Sequence, residues 1–322
     1  MSEVCALSLL CWCDRGRRFT GRYGTASHRI LEPWRREDLG LRLEERAADN
    51  KAVKPFAAAA ILAVPIFVGA QQQGAGPRGN WPCSARIDPS YFRVAEGTGG
   101  HLLLLAPEEI ADSATLLTAL GGHPQTLLRL AGSLTPGLHE FQVPVDPSVE
   151  SVLFSISVQC LQVADIVRPS GAAPSGDDVV DLSNFRAERM VIVKRPEPGM
   201  WTLRLSGSGV SGVVVQARSS IGIADVQFAP ARSMNFTPFP TTGVENVVKI
   251  RISGRVQEVR ASIVSGVFLP LAPLPLERDE TDGSYLSRFT PGSEGVRVLV
   301  VGKDFDGVAF QRMYAPLITP MR

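Results

Sequence analysis

Regular alternation of apolar and polar residues is the feature that most constrains how this chain can fold. In the segment ESVLFSISV, residues Val152, Phe154, Ile156 and Val158 share one phase, and serines occupy much of the other. Because successive side chains of a β-strand point to opposite faces, this pattern predicts a strand with one buried and one solvated face. The pattern returns in LQVADIV, ERMVIVK, MWTLRLS and GVVVQAR, with turn-rich segments between them. This spacing predicts an antiparallel β-sandwich over residues 131–229.

Trp201 follows a Pro-Glu-Pro-Gly turn and lies in phase with Leu203 and Leu205. The shared phase predicts that the indole closes the end of the sandwich core. An exposed ring that stacks on a sugar is the alternative interpretation, and the phase of the neighbouring leucines disfavours it. Burial of a large aromatic side chain contributes roughly 2 to 3 kcal/mol by area.

A second alternating region follows the Pro-rich segment FAPARSMNFTPFPTTG. In NVVKIRIS, residues Val248, Ile250 and Ile252 share the inward phase, and further strand-like segments extend to VAFQRMYAP. The pair Asp306-Gly307 favours a tight hairpin turn near the end of the chain. We therefore predict a second β-sandwich over residues 232–318.

The region over residues 89–130 has a different pattern. YFRVAE predicts a short helix that ends at a glycine cluster, HLLLLA predicts an apolar strand, and the following segment has helical spacing with acids in its first turn. The stretch is too short for a complete α/β domain. The predicted fold class is mainly β: two tandem antiparallel β-sandwiches preceded by a short α/β remnant.

The first part of the chain differs from the rest in composition. Residues 1–50 contain nine arginines and no lysine, without a sustained apolar period, and we interpret them as a disordered or non-native leader. Residues 51–70 (KAVKPFAAAAILAVPIFVGA) combine a lysine-bearing start with an apolar run and small residues at its end, which predicts a secretory signal peptide. A retained membrane anchor over residues 55–70 is the alternative, although a spanning helix needs about 20 apolar residues. Residues 71–88 are predicted to be a flexible spacer.

Cysteine usage agrees with export from the cell. Three of the five cysteines lie in the leader, which leaves Cys83 and Cys160. In an oxidising compartment two such cysteines either form a disulfide or leave Cys160 as a buried free thiol in strand-like sequence.

At the level of motifs, YFRVAEGTGGHLLLLAPEEIADS resembles the last helix, strand and helix of the von Willebrand factor A domain found in hemicentins and in von Willebrand factor A domain-containing protein 7. The segments FQVPVDPSVESVLFSIS and PEPGMWTLRLSGSG are similar to the galactose-binding-like sandwich that follows in that family. VLVVGKDFDGVAFQRMY resembles the immunoglobulin-like module beyond it. The resemblance implies a galactose-binding-like jelly roll followed by an immunoglobulin-like sandwich, with a role in extracellular architecture and binding.

The chain departs from the family at the metal site of the A domain. That site requires an Asp-x-Ser-x-Ser loop, because hard cations need several converging oxygen ligands. No such loop occurs in the sequence. Metal-dependent adhesion is therefore not carried over, and we predict no metal-binding, cofactor-binding or catalytic residues.

Other candidate sites are weak on chemical grounds. The glycines of EGTGGH precede a strand, whereas a phosphate loop follows one. His101, His123 and His139 lack zinc-ligand spacing and are interpreted as surface or turn histidines. Asn235 begins a possible glycosylation sequence. Two acidic loops are candidates for calcium, with solvated loop charge as the commoner outcome; they contain Asp177, Asp178 and Asp181, and Glu277, Asp279, Glu280 and Asp282.

Function is less constrained than fold. The formal net charge of +1 gives no reason to expect nucleic-acid binding, and a membrane partner is expected only if residues 55–70 are retained. No Gly-x-Ser-x-Gly elbow is present, so the chain is predicted not to be an enzyme. We predict an exported protein, secreted, periplasmic or on the cell surface, that binds an extracellular protein or glycan in a structural or adhesive role. The alternative is a carbohydrate-binding or accessory module that assists a separate secreted hydrolase.

Overall fold

The alternating segments form antiparallel strands in a computed structural model of the chain, which confirms the mainly β fold with two sandwiches. The structure describes residues 6–8, 65–68, 83, 86–182, 185–233, 235–266 and 270–322. The predicted leader, signal peptide and most of the spacer lie outside the described residues, apart from strands β1 (Ala6–Ser8) and β2 (Pro65–Val68). In the part of the chain that is described, no helix is long and apolar enough to cross a membrane.

A helix, a strand and a second helix precede the sandwiches, as predicted for this region. The first helix begins where the Asp88 side chain accepts a hydrogen bond from the Ser90 backbone nitrogen at 2.8 Å. It ends at Gly99, whose φ of 71° lies in the left-handed region that glycine tolerates best. The strand pairs parallel with β2. In chain order these elements are α1 (Pro89–Thr98), β3 (Leu103–Leu105), a 3-10 turn (Pro107–Asp112) and α2 (Ser113–Leu120).

The first sandwich is built around two long strands that pair along most of their length. These are β6 (Val149–Val167) and β9 (Gly199–Ser219). The second half of β9 pairs with β4, and its first half pairs with β5. β4 crosses the predicted boundary between residues 130 and 131. The remaining strands of this sandwich are β4 (Gln125–Leu134), β5 (Leu138–Val145), β7 (Val179–Leu182) and β8 (Glu188–Lys194).

The long strands bend in the middle, and the bend creates the two layers. The register between β6 and β9 shifts near Cys160. A Cβ atom at Gly207 would lie 2.5 Å from the Cys160 carbonyl oxygen, so this close approach requires glycine. Phe154 and Trp201 lie far apart along the paired strands, yet their ring centroids are 5.6 Å apart. The two halves of the hairpin therefore face each other across one core.

The predicted burial of Trp201 is confirmed. Its side chain is 0% exposed, and its indole nitrogen donates a hydrogen bond to the Glu197 carbonyl oxygen at 2.8 Å. The polar group of the ring is therefore satisfied within the turn that precedes the strand.

The predicted solvated face of β6 is wrong for two of its serines. Ser155 and Ser157 are buried, because β3 and the two residues before it lie against this face. The Ser157 hydroxyl accepts a hydrogen bond from the Leu104 backbone nitrogen at 3.1 Å, and Ser155 contacts the ring of His101. The α/β segment thus covers the outer face of the sheet, where these serine hydroxyls lie beside an apolar cluster that includes Leu153 and Met190.

The second sandwich has two layers of four strands each. One layer is a separate sheet with the order β10-β11-β15-β14, and the other, β13-β12-β16-β17, continues into the first sandwich because β17 pairs with β4 at Met313 and Thr126. Its core includes Phe228, Val248, Ile250 and Phe310, and the predicted Asp306-Gly307 turn joins the last two strands. Its first strand begins before the predicted start at residue 232. The strands are β10 (Gly222–Pro230), β11 (Asn246–Ser253), β12 (Val256–Ser265), β13 (Pro270–Leu274), β14 (Glu277–Arg278), β15 (Tyr285–Phe289), β16 (Val296–Asp304) and β17 (Ala309–Met313).

Two buried ionic clusters join the sandwiches and α1. Glu96 of α1 binds Arg129 of β4 at 2.9 Å and also binds Arg297 of β16. Arg312 of β17 binds Asp146, between β5 and β6, at 2.7 Å. All five side chains are almost fully buried. Because each cluster takes its members from different modules, the modules cannot separate without exposing unpaired buried charge.

Candidate binding groove on the first sandwich

A groove with a volume of about 1000 Å³ lies between α2 and the outer face of the first sandwich. One wall is α2 and the turn after it. The floor consists of the first residues of β6, the strand β7 and the end of β8. Three aliphatic side chains, Val180, Leu182 and Ile192, line one part of the floor, and charged side chains line the other.

Strand pairing places one cation on each side of a serine at the charged end of the groove. Ser151 of β6 is directly opposite Lys194 of β8 and directly opposite Arg218 of β9. Residues in register on adjacent strands point to the same face of a sheet. Lys194 and Arg218 are exposed, and neither forms an ion pair with another described residue.

His123, in the turn after α2, contacts this row. Its Nε2 atom lies 3.0 Å from the Ser151 hydroxyl oxygen. Its pKa is lowered, mainly because burial disfavours the charged ring and also because of the Arg218 guanidinium. The histidine is therefore predominantly neutral at neutral pH, and the positive charge of the groove comes from Lys194 and Arg218.

The contact between Ser151 and His123 superficially matches the nucleophile and base of a hydrolase. Such a base is oriented by a third group, and an oxyanion needs convergent donors. No carboxylate among the described residues bonds His123 Nδ1. The pair therefore lacks the orienting acid of a catalytic triad. The sequence did not reveal this pair, because the two residues meet only through the placement of α2 on the sheet.

Acidic side chains limit the positive charge of the groove. Asp178 binds Arg195 at 2.7 Å at the rim, and Glu150 lies beside Ser151. The groove therefore combines an aliphatic part with a small cationic site rather than an extended basic surface.

The interpretation of His101 as a surface or turn residue is wrong. This ring is 1% exposed, its Nε2 lies 2.8 Å from Gln216 Oε1, and its Nδ1 lies 3.4 Å from the Ser155 hydroxyl. The same hydroxyl donates to Glu188, where burial raises the pKa of the carboxyl well above its ordinary value. His123 and His139 are half-buried in turn or strand-end positions.

Titration of His101 predicts a pH dependence of stability. Its pKa is lowered to about 4, first by burial and second by the Arg129 guanidinium. The unfolded chain protonates this ring near pH 6.5, so its contribution to stability is complete above that pH and is lost as the pH falls towards 4. We expect protonation of His101 to lower the free energy of unfolding by about 3 kcal/mol between pH 6.5 and pH 4. Urea unfolding at pH 7 and pH 4.5 measures the loss.

The variant His101→Gln isolates this titration from that of the carboxyl groups. It retains a polar side chain beside Ser155 and Gln216 but does not bind a proton in this range. On going from pH 7 to pH 4.5, the variant should lose less free energy of unfolding than the parent chain does. The difference between the two losses should be most of the amount assigned to His101. An equal loss in both proteins would contradict the assignment.

The acidic loops considered for calcium are engaged in local contacts. Asp181 binds Arg189 at 3.1 Å, and Asp282 binds Lys249 at 2.7 Å. The Asp279 side chain accepts a hydrogen bond from the Thr281 backbone nitrogen at 2.9 Å. Among the described residues, no three acidic, histidine or cysteine side chains form a cluster that could hold a metal ion.

Cys83 and Cys160 form a disulfide, which resolves the alternatives that the sequence left open. The bond ties the segment before α1 to the bend of β6, across 77 residues of sequence. Closing a loop of this length restricts the unfolded chain and stabilises the fold in an oxidising environment.

Aromatic side chains of the first sandwich are not available as a platform for sugar rings. Over residues 127–220 the sequence has four of them: Phe141, Phe154, Phe185 and Trp201. Phe154 and Trp201 are buried, and the other two are partly buried against hydrophobic clusters. The feature that would favour carbohydrate binding, a cluster of exposed aromatics on a sheet face, is therefore missing from this sandwich.

Comparison with known proteins identifies the first sandwich. The model of the family described as hemicentin galactose-binding domain-like matches residues 127–220, from β4 to the end of β9. Residues 127–220 form a hemicentin-like galactose-binding domain. This confirms the resemblance for this part of the chain, and the groove lies on this hemicentin-like domain. The likenesses to an A domain and to an immunoglobulin-like module remain predictions.

Full-length relatives are much longer than this chain. Mouse hemicentin-1 is 26% identical over 235 residues, which cover 69% of this chain and 4% of the relative. Mouse hemicentin-2 is 23% identical over 239 residues, which cover 70% of this chain and 5% of the relative. A solved structure of a DUF4785 family protein from Legionella pneumophila is 12% identical and has a TM-score of 0.33. The match covers 60% of this chain and 63% of the Legionella chain. That structural likeness is too weak to support a conclusion.

Proposed function

We propose that the chain is a non-enzymatic extracellular protein that binds a protein partner in an adhesive or structural role. The hemicentin-like galactose-binding domain is the observation that carries this proposal. The family implies extracellular architecture rather than catalysis. The groove supports a binding role, because its aliphatic floor is accessible to a partner.

Two further features suit an extracellular binding module. The disulfide between Cys83 and Cys160 is of the kind that persists outside the reducing cytosol. The buried clusters around Glu96 and Asp146 fix the hemicentin-like domain to the second sandwich. Because the two parts are already fixed to each other, binding of a partner does not cost additional freedom of motion between them.

Experiments on the full chain test both the extracellular location and the adhesive role. We expect an epitope-tagged chain, expressed in cultured eukaryotic cells, to be found in the medium or on unpermeabilised cells. Peptides containing Cys83 and Cys160 should be disulfide-linked in a digest made without reduction. Surfaces coated with the purified chain should retain cells better than surfaces coated with albumin.

A variant that lacks residues 51–64, and therefore keeps the strand β2, is the matched control, and it should remain inside the cell. Retention of the full chain in the cytosol with both thiols free would contradict the proposed location. Labelling of Ser151 by a fluorophosphonate probe would contradict the non-enzymatic assignment, because that reagent modifies activated serine hydroxyls.

A further inference from the structure

The charged end of the groove has one cation on each side of a hydroxyl group. Lys194, Ser151 and Arg218 are consecutive across three adjacent strands, so the two cations have backbones about 10 Å apart with the hydroxyl between them. Long, exposed side chains at that spacing can converge above Ser151. The Arg218 guanidinium donates to the Gly122 carbonyl oxygen at 3.3 Å, which holds it towards the groove.

The part of the groove next to this row is aliphatic. Val180 is 38% exposed, and Leu182 and Ile192 are partly exposed. Ala114 and Ala119 of α2 form the facing wall. An exposed aliphatic floor between a helix and a sheet gains stability when another aliphatic side chain covers it, at roughly 25 cal/mol per Å² of buried apolar area.

Acidic neighbours restrict what kind of anion can bind. Glu150 lies beside Ser151, and Asp178 at the rim already neutralises Arg195. A polyanion with charge on every unit would be repelled by these carboxylates. A single carboxylate can be placed between Lys194 and Arg218, next to the aliphatic floor, with far less repulsion from Glu150 and Asp178 than a polyanion meets.

We infer that the groove binds a peptide segment of a protein partner, with an acidic residue held by Lys194 and Arg218 and an aliphatic residue placed against Val180 and Ile192. This deepens the proposed function, since it names the chemistry of the partner. The acidic residue receives charge-assisted hydrogen bonds from both cations. The aliphatic residue supplies the apolar contact, because its burial against the floor removes apolar surface from water.

The purified full chain tests the inference by fluorescence polarisation against a panel of ten-residue peptides. Each peptide carries Asp or Glu one to four positions from Leu, Ile or Val, and each has a matched peptide with Asn or Gln in place of the acid. We expect a subset of the acidic peptides to bind, with affinity about tenfold weaker in the amide counterparts. Binding should also weaken as salt is raised from 50 to 300 mM.

Variants locate the binding site. Lys194→Gln combined with Arg218→Gln should weaken binding of the acidic peptides about tenfold or more and leave the amide peptides unchanged. Val180→Ser should weaken both sets, because it removes exposed aliphatic surface without opening the core. The matched control is Arg288→Gln, which removes an exposed arginine of the second sandwich and should leave binding unchanged.

Three outcomes would overturn the inference. One is equal binding of acidic and amide peptides, and another is equal loss of binding in the Arg288→Gln control. The third is stronger binding of hyaluronan or heparin than of any peptide, abolished by the same double variant, which would assign the groove to acidic glycans. Because the peptide experiment uses purified protein, its result does not depend on whether cells export the chain.

Discussion

Replacing Glu96 by glutamine should lower the free energy of unfolding by about 3 to 5 kcal/mol. The carboxylate is the shared partner of Arg129 and Arg297, whose side chains are 2% and 1% exposed. Glutamine has nearly the same shape but no charge, so two guanidinium groups would stay buried without a counter-ion. Urea unfolding of the parent and variant chains at pH 7 measures the difference.

The substitution Glu140→Gln is the matched control for this prediction. Glu140 binds Arg204 at 2.7 Å, and both side chains are about half exposed. Solvent screens such a pair, so its loss should change the free energy of unfolding by less than about 1 kcal/mol. If Glu96→Gln and Glu140→Gln cost the same, burial of the cluster does not control stability.

A second variant keeps the prediction testable if Glu96→Gln fails to fold. The triple change Glu96→Leu, Arg129→Met and Arg297→Met removes all three charges together and fills a similar volume. It should be nearer to the parent in stability than Glu96→Gln is, because unpaired buried charge is more destabilising than an apolar replacement of the whole cluster. A triple variant less stable than the single one would show that the hydrogen bonds from Arg129 and Arg297 to backbone carbonyl oxygens outweigh their ionic contacts with Glu96.

Strand phase was predictable because it is a local property. The alternation that placed Phe154 and Trp201 in the core depends on residues two positions apart, and both are fully buried. The C-terminal end of α1 was predictable for the same reason, since the glycine cluster there permits the left-handed residue that terminates the helix. Local chemistry therefore gave the elements and most of the core.

The covered face of β6 was not predictable from local pattern. Ser155 and Ser157 are buried by residues around His101 and Leu104, more than fifty positions earlier in the chain. Alternation reports which face is more polar, but it does not report whether a distant element covers that face. A strand face that carries serines has the same alternating pattern whether it is covered or solvated.

The candidate groove required the pairing register as well as the fold. Ser151, Lys194 and Arg218 are widely separated in sequence, and each had the polar phase expected of an exposed strand position. Their alignment follows from the antiparallel registers of β6 with β8 and with β9. Arginines within apolar strands, such as Arg129 in TLLRLA, were the available signal for the buried clusters, because an isolated charge there requires a partner.

Truncation of Trp201 to alanine should lower the free energy of unfolding by about 3 to 5 kcal/mol. The indole joins the two layers of the hemicentin-like domain through its contact with Phe154, and its nitrogen satisfies the Glu197 carbonyl oxygen. Alanine would leave a cavity at the end of the core and a carbonyl without its donor. Equilibrium unfolding in urea, followed by far-ultraviolet circular dichroism, measures the loss.

Two further variants separate packing from hydrogen bonding at this position. Trp201→Phe retains most of the ring volume and loses the hydrogen bond, so its cost should be clearly smaller than that of alanine. Thr202→Ala changes the next residue, which points to the opposite, accessible face, and should alter stability by less than about 0.5 kcal/mol. If Trp201→Ala were as mild as Thr202→Ala, the indole would not hold the two layers together, and the bent hairpin would have to be stabilised by the aliphatic residues around it.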